Sequence, residues 1–322
     1  MMLKRLLVAS LASTALLASG YSLAEVDKDL PNYESASGIS GNLGSKGSDT
    51  LNNLMTLWAE KFNEFYPNVS IEVEGAGSGT APPALAEATV NFGPMSREMR
   101  SSEIQDFEDA HGYPPTKVRV AIDTVAVFVN RDNPLEGLSI KQLDGIFSET
   151  QRCGGNNITR WGELGIKDHG WRNRDITIYS RNSVSGTYGF FRENGLCDGD
   201  YKNTINEQPG SASVVQGVSE SLNGIGYSGI GYNTSGVRAI ALGKEEGKYY
   251  EPTPENAVSG DYPLARFLYV YVNKHPNEEL PPMEREFLRM VLSKQGQKVV
   301  ERDGFIPLPA AAAELERQKL GL

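Results

Sequence analysis

The sequence predicts an α/β protein of two lobes. Three observations predict it. Helix-period segments alternate with strand-like ones along most of the chain. Two long apolar runs, 118–130 and 264–273, are placed to pass from one lobe to the other. Three hydroxyl-rich helix starts, Gly47-Ser48-Asp49-Thr50, Gly77-Ser78-Gly79-Thr80 and Ser185-Gly186-Thr187, are separated widely enough to come from both halves.

In chain order, Lys4 and Arg5 precede an apolar stretch from Leu6 to Leu17. That stretch is well short of the ~20 residues needed to span a membrane. Ser22-Leu23-Ala24 then fits a small-x-small cleavage site, so residues 1–24 read as a secretory signal peptide. No cysteine follows the apolar run, which excludes lipid attachment there. Cleavage after Ala24 leaves 298 residues and takes the formal charge from −10 to −12. So acidic a chain is a poor partner for nucleic acid. It also repels small anions as a whole, so an anion site must be local and built largely from neutral dipoles.

Residues 25–40 are polar, with Pro31 and no clear period, and are expected to be poorly ordered. Leu51, Leu54, Met55, Trp58, Phe62, Phe65 and Tyr66 predict a helix over 50–66. Val69 to Val73 alternates as a strand. Thr80 opens a second helix that tolerates Pro82 and Pro83 in its first turn. Asn91 to Ser96 is a strand end and turn, and Ser102 caps a helix through Ala110. Val118 to Asn130 is a long strand, Ser139 to Phe147 a short helix, and 150–175 an irregular region. Asp175 to Tyr179 is a strand feeding a loop at Arg181. A helix over 211–222, a Gly-rich strand over 224–232 and a strand over 264–273 follow. The C-terminus reads as a helix over 283–303, broken near Gly296, and a last helix over 310–318. On this pattern lobe one is 25–124 plus 266–322, and lobe two is 125–265.

Two cysteines, Cys153 and Cys197, in an exported chain suggest a disulfide, with two free buried thiols as the alternative. Both lie in lobe two, so a bridge would not restrain motion between lobes.

A helix start leaves unpaired N–H groups and a partial positive charge, which together hold an oxyanion. Arg181 stands four residues before Ser185, and a guanidinium can pair two oxygens of one anion. Solvated pairing of Arg181, or plain capping by Asp49, Ser78 and Thr80, are the alternatives. Catalytic signatures are weak. His111, His169 and His275 have no metal-ligand spacing, and Ser185 lacks a Gly-x-Ser-x-Gly setting. Gly224 to Gly229 matches Gly-x-Gly-x-x-Gly by letter, but it follows a helix and is itself a strand, so the dinucleotide context fails.

The segments GSDTL at 47–51, GAGSGT at 75–80, NFGPMSR at 91–97, RNSVSGT at 181–187 and GIGYSGIGY at 224–232 together resemble the substrate-binding proteins of phosphate ABC transporters, the PstS-like family. The resemblance covers essentially the whole chain after residue 24. It implies a type II-like periplasmic-binding-protein fold with two crossover strands and the ligand in the inter-lobe cleft. It implies high-affinity phosphate binding in the periplasm, delivery to membrane permease subunits, a monomer, no cofactor, no metal and no catalysis. Another oxyanion, or an exported phosphate-ester hydrolase, is the alternative function. On matching positions the resemblance implies phosphate contacts from Thr50, Leu51, Ser78, Arg181, Ser185, Gly186 and Thr187. Where the family pattern has an Asp this chain has Ser96, followed by Arg97. The missing carboxylate matters, because an acceptor-only group is what pairs the proton that phosphate carries and sulfate lacks. Sites that pair a ligand O–H reject analogues without it by roughly 10⁴–10⁵-fold. Asp49 is the candidate to supply that acceptor, and Arg97 is expected to pair with Asp49 or with a ligand oxygen.

Overall fold

The computed structural model describes residues 25–322, and residues 1–24, read from the sequence as a signal peptide, lie outside the described residues. The strands are β1 (Gly41–Lys46), β2 (Val69–Glu74), β3 (Phe92–Met95), β4 (Thr116–Asn130), β5 (Gly137–Ser139), β6 (Thr177–Arg181), β7 (Asn206–Gln208), β8 (Gly224–Gly229), β9 (Val237–Ala239), β10 (Ala241–Glu245), β11 (Lys248–Tyr250) and β12 (Ala265–Val272). The helices are α1 (Asn52–Phe65), α2 (Ala81–Ala86), α3 (Ser101–His111), α4 (Ile140–Phe147), α5 (Gly186–Gly195), α6 (Ser211–Glu220), α7 (Pro254–Ser259), α8 (Pro282–Val291), α9 (Lys294–Arg302) and α10 (Ala310–Leu320).

The main sheet runs β2-β1-β3-β12-β4-β8-β6-β7, with β9 also paired to β4. The 15 residues of β4 make it the axis of the molecule. From Thr116 to Thr124 it pairs antiparallel with β12, and from Val125 it pairs with β8. The chain therefore forms two α/β lobes joined through this strand. One apolar core is drawn from 26–121 and 268–320 and centres on Trp58, Phe62, Phe92 and Phe287. The other is drawn from 125–264 and centres on Phe147, Trp161, Phe191 and Tyr227.

Local sequence explains the helices that carry the site. In α1 the apolar residues Leu54, Met55, Trp58 and Phe62 recur at 3.6-residue spacing and are fully buried. A 3-10 turn, Asp49–Leu51, leads into it, and a second, Ser78–Thr80, leads into α2. Helix α4 is closed by a capping box between Ser139 and Gln142.

Several expectations are corrected. Residues 25–40 hold no helix or strand before β1, yet Val26, Leu30 and Tyr33 are buried. The Tyr33 hydroxyl lies 2.6 Å from that of Tyr66 and donates to Glu286 Oε2, which ties the segment down. Helix α3 begins one residue before Ser102, after Arg100 at the cap position. The break expected near Gly296 in the C-terminal helix falls at Leu292-Ser293, where the Ser293 hydroxyl caps α9, and Gly296 itself packs inside that helix. Arg181 ends a strand instead of lying in a loop, and the Gly-rich strand stops at Gly229 before a 3-10 turn, Ile230–Tyr232. Strands β5, β7, β9, β10 and β11 and helix α7 are short elements whose pattern the apolar periodicity did not mark. The β10–β11 turn uses Gly247 at φ +81°, where a side chain would be strained.

Cys153 and Cys197 form a disulfide with Cα atoms 5.4 Å apart. The loop it closes predicts a contribution of about 4 kcal/mol. Replacing both cysteines with serine should lower the melting temperature by about 10 °C. Scanning calorimetry checks this, and ligand binding should be unchanged.

Candidate functional site

The three helix starts meet where the two lobes face each other. Thr50 enters from the turn after β1, Ser78 from the turn after β2, and Ser96 from the end of β3. Ser185, Gly186 and Thr187 enter from the other side, at the N-terminus of α5. The Thr50 and Thr187 hydroxyls are 2.9 Å apart, and Ser96 Oγ lies 3.5 Å from Thr187 Oγ1. Ser78 Oγ accepts from the Ser96 N–H at 3.0 Å and lies 3.2 Å from Ser96 Oγ. Ser185 Oγ accepts from the backbone N–H groups of Thr187 and Tyr188 at 3.2 and 3.4 Å, as an N-cap should. Leu51 follows Thr50 in the same turn and is fully buried.

The lobes also touch through main chain. The Gly79 N–H donates to Val184 O at 3.0 Å. A Cβ on Gly77, which has φ +101°, would come 2.8 Å from Val184 Cγ1. A Cβ on Gly186 would lie 2.3 Å from Ser78 Oγ and 2.7 Å from Ser96 Oγ. Glycine at these positions is what lets the two surfaces close to this distance.

Two arginine–aspartate pairs flank the hydroxyl cluster. Arg181 is 1% exposed. Its Nη1 donates to Ser211 Oγ at 2.7 Å and lies 3.2 Å from Asp49 Oδ2, while Nη2 donates to Pro209 O at 3.1 Å. Its Nε has no partner among the described residues. Asp49 Oδ2 also accepts from the Ser211 N–H at 2.8 Å, and the Tyr232 hydroxyl donates to Asp49 O at 3.0 Å. Asp49 thus reaches from the first helix start to β6 and the N-terminus of α6.

The second pair, Asp123 and Arg266, is fully or almost fully buried. The two residues face each other across β4 and β12. Arg266 donates from Nε and Nη2 to Asp123 Oδ2 at 3.0 and 2.7 Å, from Nη1 to Ser96 O at 2.7 Å, and from Nη2 to Thr187 Oγ1 at 3.0 Å. Burial presses both guanidinium pKa values down, and the facing carboxylates oppose it. Arg181 adds to the downward pressure on Arg266, because two cations stand near each other. An anion between them relieves that repulsion.

The sequence missed this second pair. Asp123 and Arg266 sit inside the two apolar runs that read as core strands. The available signal was a charge inside an apolar run: Arg266 alone in 264–273, and Asp123 together with Arg119 in 118–130. Arg97 is also corrected. It does not reach Asp49; it makes a two-pronged pair with Glu103, at 2.7 and 2.6 Å, on the side of α3. A cavity of about 620 Å³ opens beside the cluster, lined by Ser96, Arg97, Tyr188, Phe190, Arg266 and Tyr269. Among the described residues no group of three or more His, Cys, Asp or Glu is placed to hold a metal ion, and no helix is long and apolar enough to cross a membrane.

Comparison with known proteins agrees with this architecture. A family model described as a PBP superfamily domain matches residues 32–295. The chain is 55% identical over 324 residues to the phosphate-binding protein PstS of Pseudomonas aeruginosa, covering 100% of each. It is 28% identical over 293 residues to PstS of Staphylococcus saprophyticus, covering 90% of this chain and 87% of that one. A Clostridium perfringens protein described as a phosphate ABC transporter substrate-binding protein, solved with bound phosphate, matches with a TM-score of 0.71 and 26% identity. That match covers 83% of this chain and 100% of the other. An ABC-type phosphate transport receptor from Vibrio cholerae shares the fold with a TM-score of 0.65 at 24% identity, over 83% of this chain and 100% of that one.

Proposed function

The chain belongs to the PBP superfamily, among the PstS phosphate-binding proteins, and from that premise we propose that it captures inorganic phosphate between its lobes and hands it to an ABC-type permease. The observation that carries this reading is Arg181, a fully buried guanidinium with an unpaired Nε, at the edge of a hydroxyl cluster built from both lobes. Buried polar groups are almost always paired, so an unpaired donor here marks a place for a ligand oxygen. Each guanidinium is already matched by a carboxylate, so the site is close to neutral before the anion enters. Hydroxyls and helix-start N–H groups then supply the attraction, as an acidic protein requires.

In this reading Thr50, Leu51, Ser78 and Ser96 hold the anion from one lobe. Arg181, Ser185, Gly186 and Thr187 close on it from the other. The lobes are 25–124 plus 266–322 and 125–265, with the hinge at the partner change of β4 near Thr124. Preference of the ligand for the closed form drives closure. The protein works as a monomer in the periplasm, after loss of residues 1–24, and carries no catalytic step. Arg97, held by Glu103, contributes to the cleft mouth rather than to the anion.

Asp49 keeps the role of acceptor for the phosphate proton through Oδ1, while Oδ2 steadies Arg181. Asp49→Asn should therefore weaken phosphate binding by about tenfold or more and lower the phosphate-to-sulfate affinity ratio. Competition calorimetry reads both numbers; an unchanged ratio limits Asp49 to steadying Arg181. The reading as a whole is tested on mature protein stripped of carried-over ligand by unfolding and refolding. Tight phosphate binding with little sulfate response is expected. Absence of phosphate binding, with tight binding of another oxyanion, would replace phosphate as the ligand.

A further inference from the structure

Every hydroxyl whose partners fix its direction in this cluster is fed by an N–H. Ser78 Oγ receives the Ser96 N–H, and Ser185 Oγ receives those of Thr187 and Tyr188. Thr187 Oγ1 receives Arg266 Nη2. A hydroxyl whose oxygen accepts in this way still has one proton to give. Arginine has donors only and no acceptor, so the direction of the Arg266–Thr187 bond is not ambiguous. The Thr187 proton cannot point at Arg266, which leaves it for Thr50, Ser96 or a ligand oxygen on the side where the cluster lies.

We propose that Arg266 is a positioning residue for the oxyanion. By donating to Thr187 Oγ1 it occupies one lone pair of that hydroxyl and turns its proton away from itself and toward the ligand, and Asp123 fixes the guanidinium in the orientation that does so. The inference rests on the phosphate reading and adds to it a positioning side chain and a polarity. Ser78, Ser185 and Thr187 all present protons, so the chamber favours an oxyanion whose facing oxygens are unprotonated.

The geometry also makes this contact conditional. Arg266 is carried on β12, and its Nη1 is held by Ser96 O beside β3. Thr187 arrives with α5 from the opposite lobe. The Arg266–Thr187 bond therefore forms as the lobes approach, so the donor polarity of Thr187 is established on closure.

A double-mutant cycle in phosphate affinity tests this. Asp123→Asn with Arg266→Gln removes both buried charges together and leaves no orphan ion. The pair should weaken phosphate binding by roughly 10- to 100-fold. Thr187→Val alone should weaken it by about tenfold. Added to the pair variant, Thr187→Val should cost less than about twofold more, because its hydroxyl is no longer oriented. Costs that multiply, or a pair variant within about twofold of the unaltered protein, would overturn the inference. Arg266→Lys serves if the pair variant does not fold. It keeps the charge beside Asp123 but cannot reach Asp123, Ser96 O and Thr187 at once, so it should show the same lost dependence on Thr187. Running the cycle with both phosphate and sulfate separates the two readings. Unaltered protein that binds only sulfate ends the phosphate assignment, and the cycle then decides the role of Arg266 on sulfate. Unaltered protein that binds phosphate with an additive cycle ends only this inference.

Discussion

Arg181→Gln should reduce phosphate affinity by about 10²–10³-fold, the largest effect expected from any single substitution in the cleft. The argument is one of desolvation. The guanidinium is 1% exposed, and Asp49, Ser211 and Pro209 offset only part of its cost of burial in the folded chain, so its pKa is still pressed down. Its Nε, without a partner among the described residues, is the donor proposed for a phosphate oxygen. Charge-assisted bonds of this kind are about twice as strong as neutral ones. Glutamine keeps a donor but loses the charge and the fork. The fold should survive, because the Asp49 side chain left behind is 24% exposed and can be solvated. Calorimetry gives the affinity, and a melting temperature close to that of the unaltered ligand-free protein confirms that folding is intact. A loss below about tenfold would mean that the helix starts hold the anion without the arginine.

Gly186→Ala should weaken phosphate binding by about 10- to 100-fold through sterics alone. The methyl group would lie 2.3 Å from Ser78 Oγ and 2.7 Å from Ser96 Oγ, both fully buried hydroxyls of the facing lobe. Gly186 is the first residue of α5, and its φ is not in the left-handed region. Alanine is thus favourable for the helix itself and should leave ligand-free stability unchanged or slightly raised. Binding loss without stability loss is the signature of blocked closure. Small-angle scattering gives an independent reading: phosphate should compact the unaltered protein and leave the Gly186→Ala variant extended. Compaction of the variant would show that the serines can move aside.

These two residues were legible in the sequence because they belong to one contiguous segment, 181–187, in which helix capping and anion binding use the same backbone geometry. The strand and helix order was legible for the same kind of reason, since local periodicity is set by local burial. What was not legible depends on register. That Asp123 faces Arg266 follows from the antiparallel pairing of β4 with β12, across 143 residues of chain. That Arg97 belongs to Glu103 follows from the direction in which α3 leaves β3. The N-terminal segment 25–40 looked loose because its few anchors, Val26, Leu30 and Tyr33, have no period. The partners of Tyr33 lie some 30 to 260 residues away, at the end of α1 and in α8 and α9.

The position of β12 in the sheet has a consequence for the order in which the molecule is made. It lies between β3 and β4, although about 170 residues of chain are synthesised between the end of β3 and its arrival. Until then both neighbours present unpaired edges, and the core around Trp58 lacks α8, α9 and α10. The core around Phe191 needs nothing beyond residue 264. A chain emerging N-terminus first therefore completes its middle before its beginning. Half of the cleft, with Thr50, Ser78 and Ser96, stays unassembled until the final fifth of the polypeptide threads between strands already made. Such a chain remains pliable through most of its synthesis, which would suit the export proposed above.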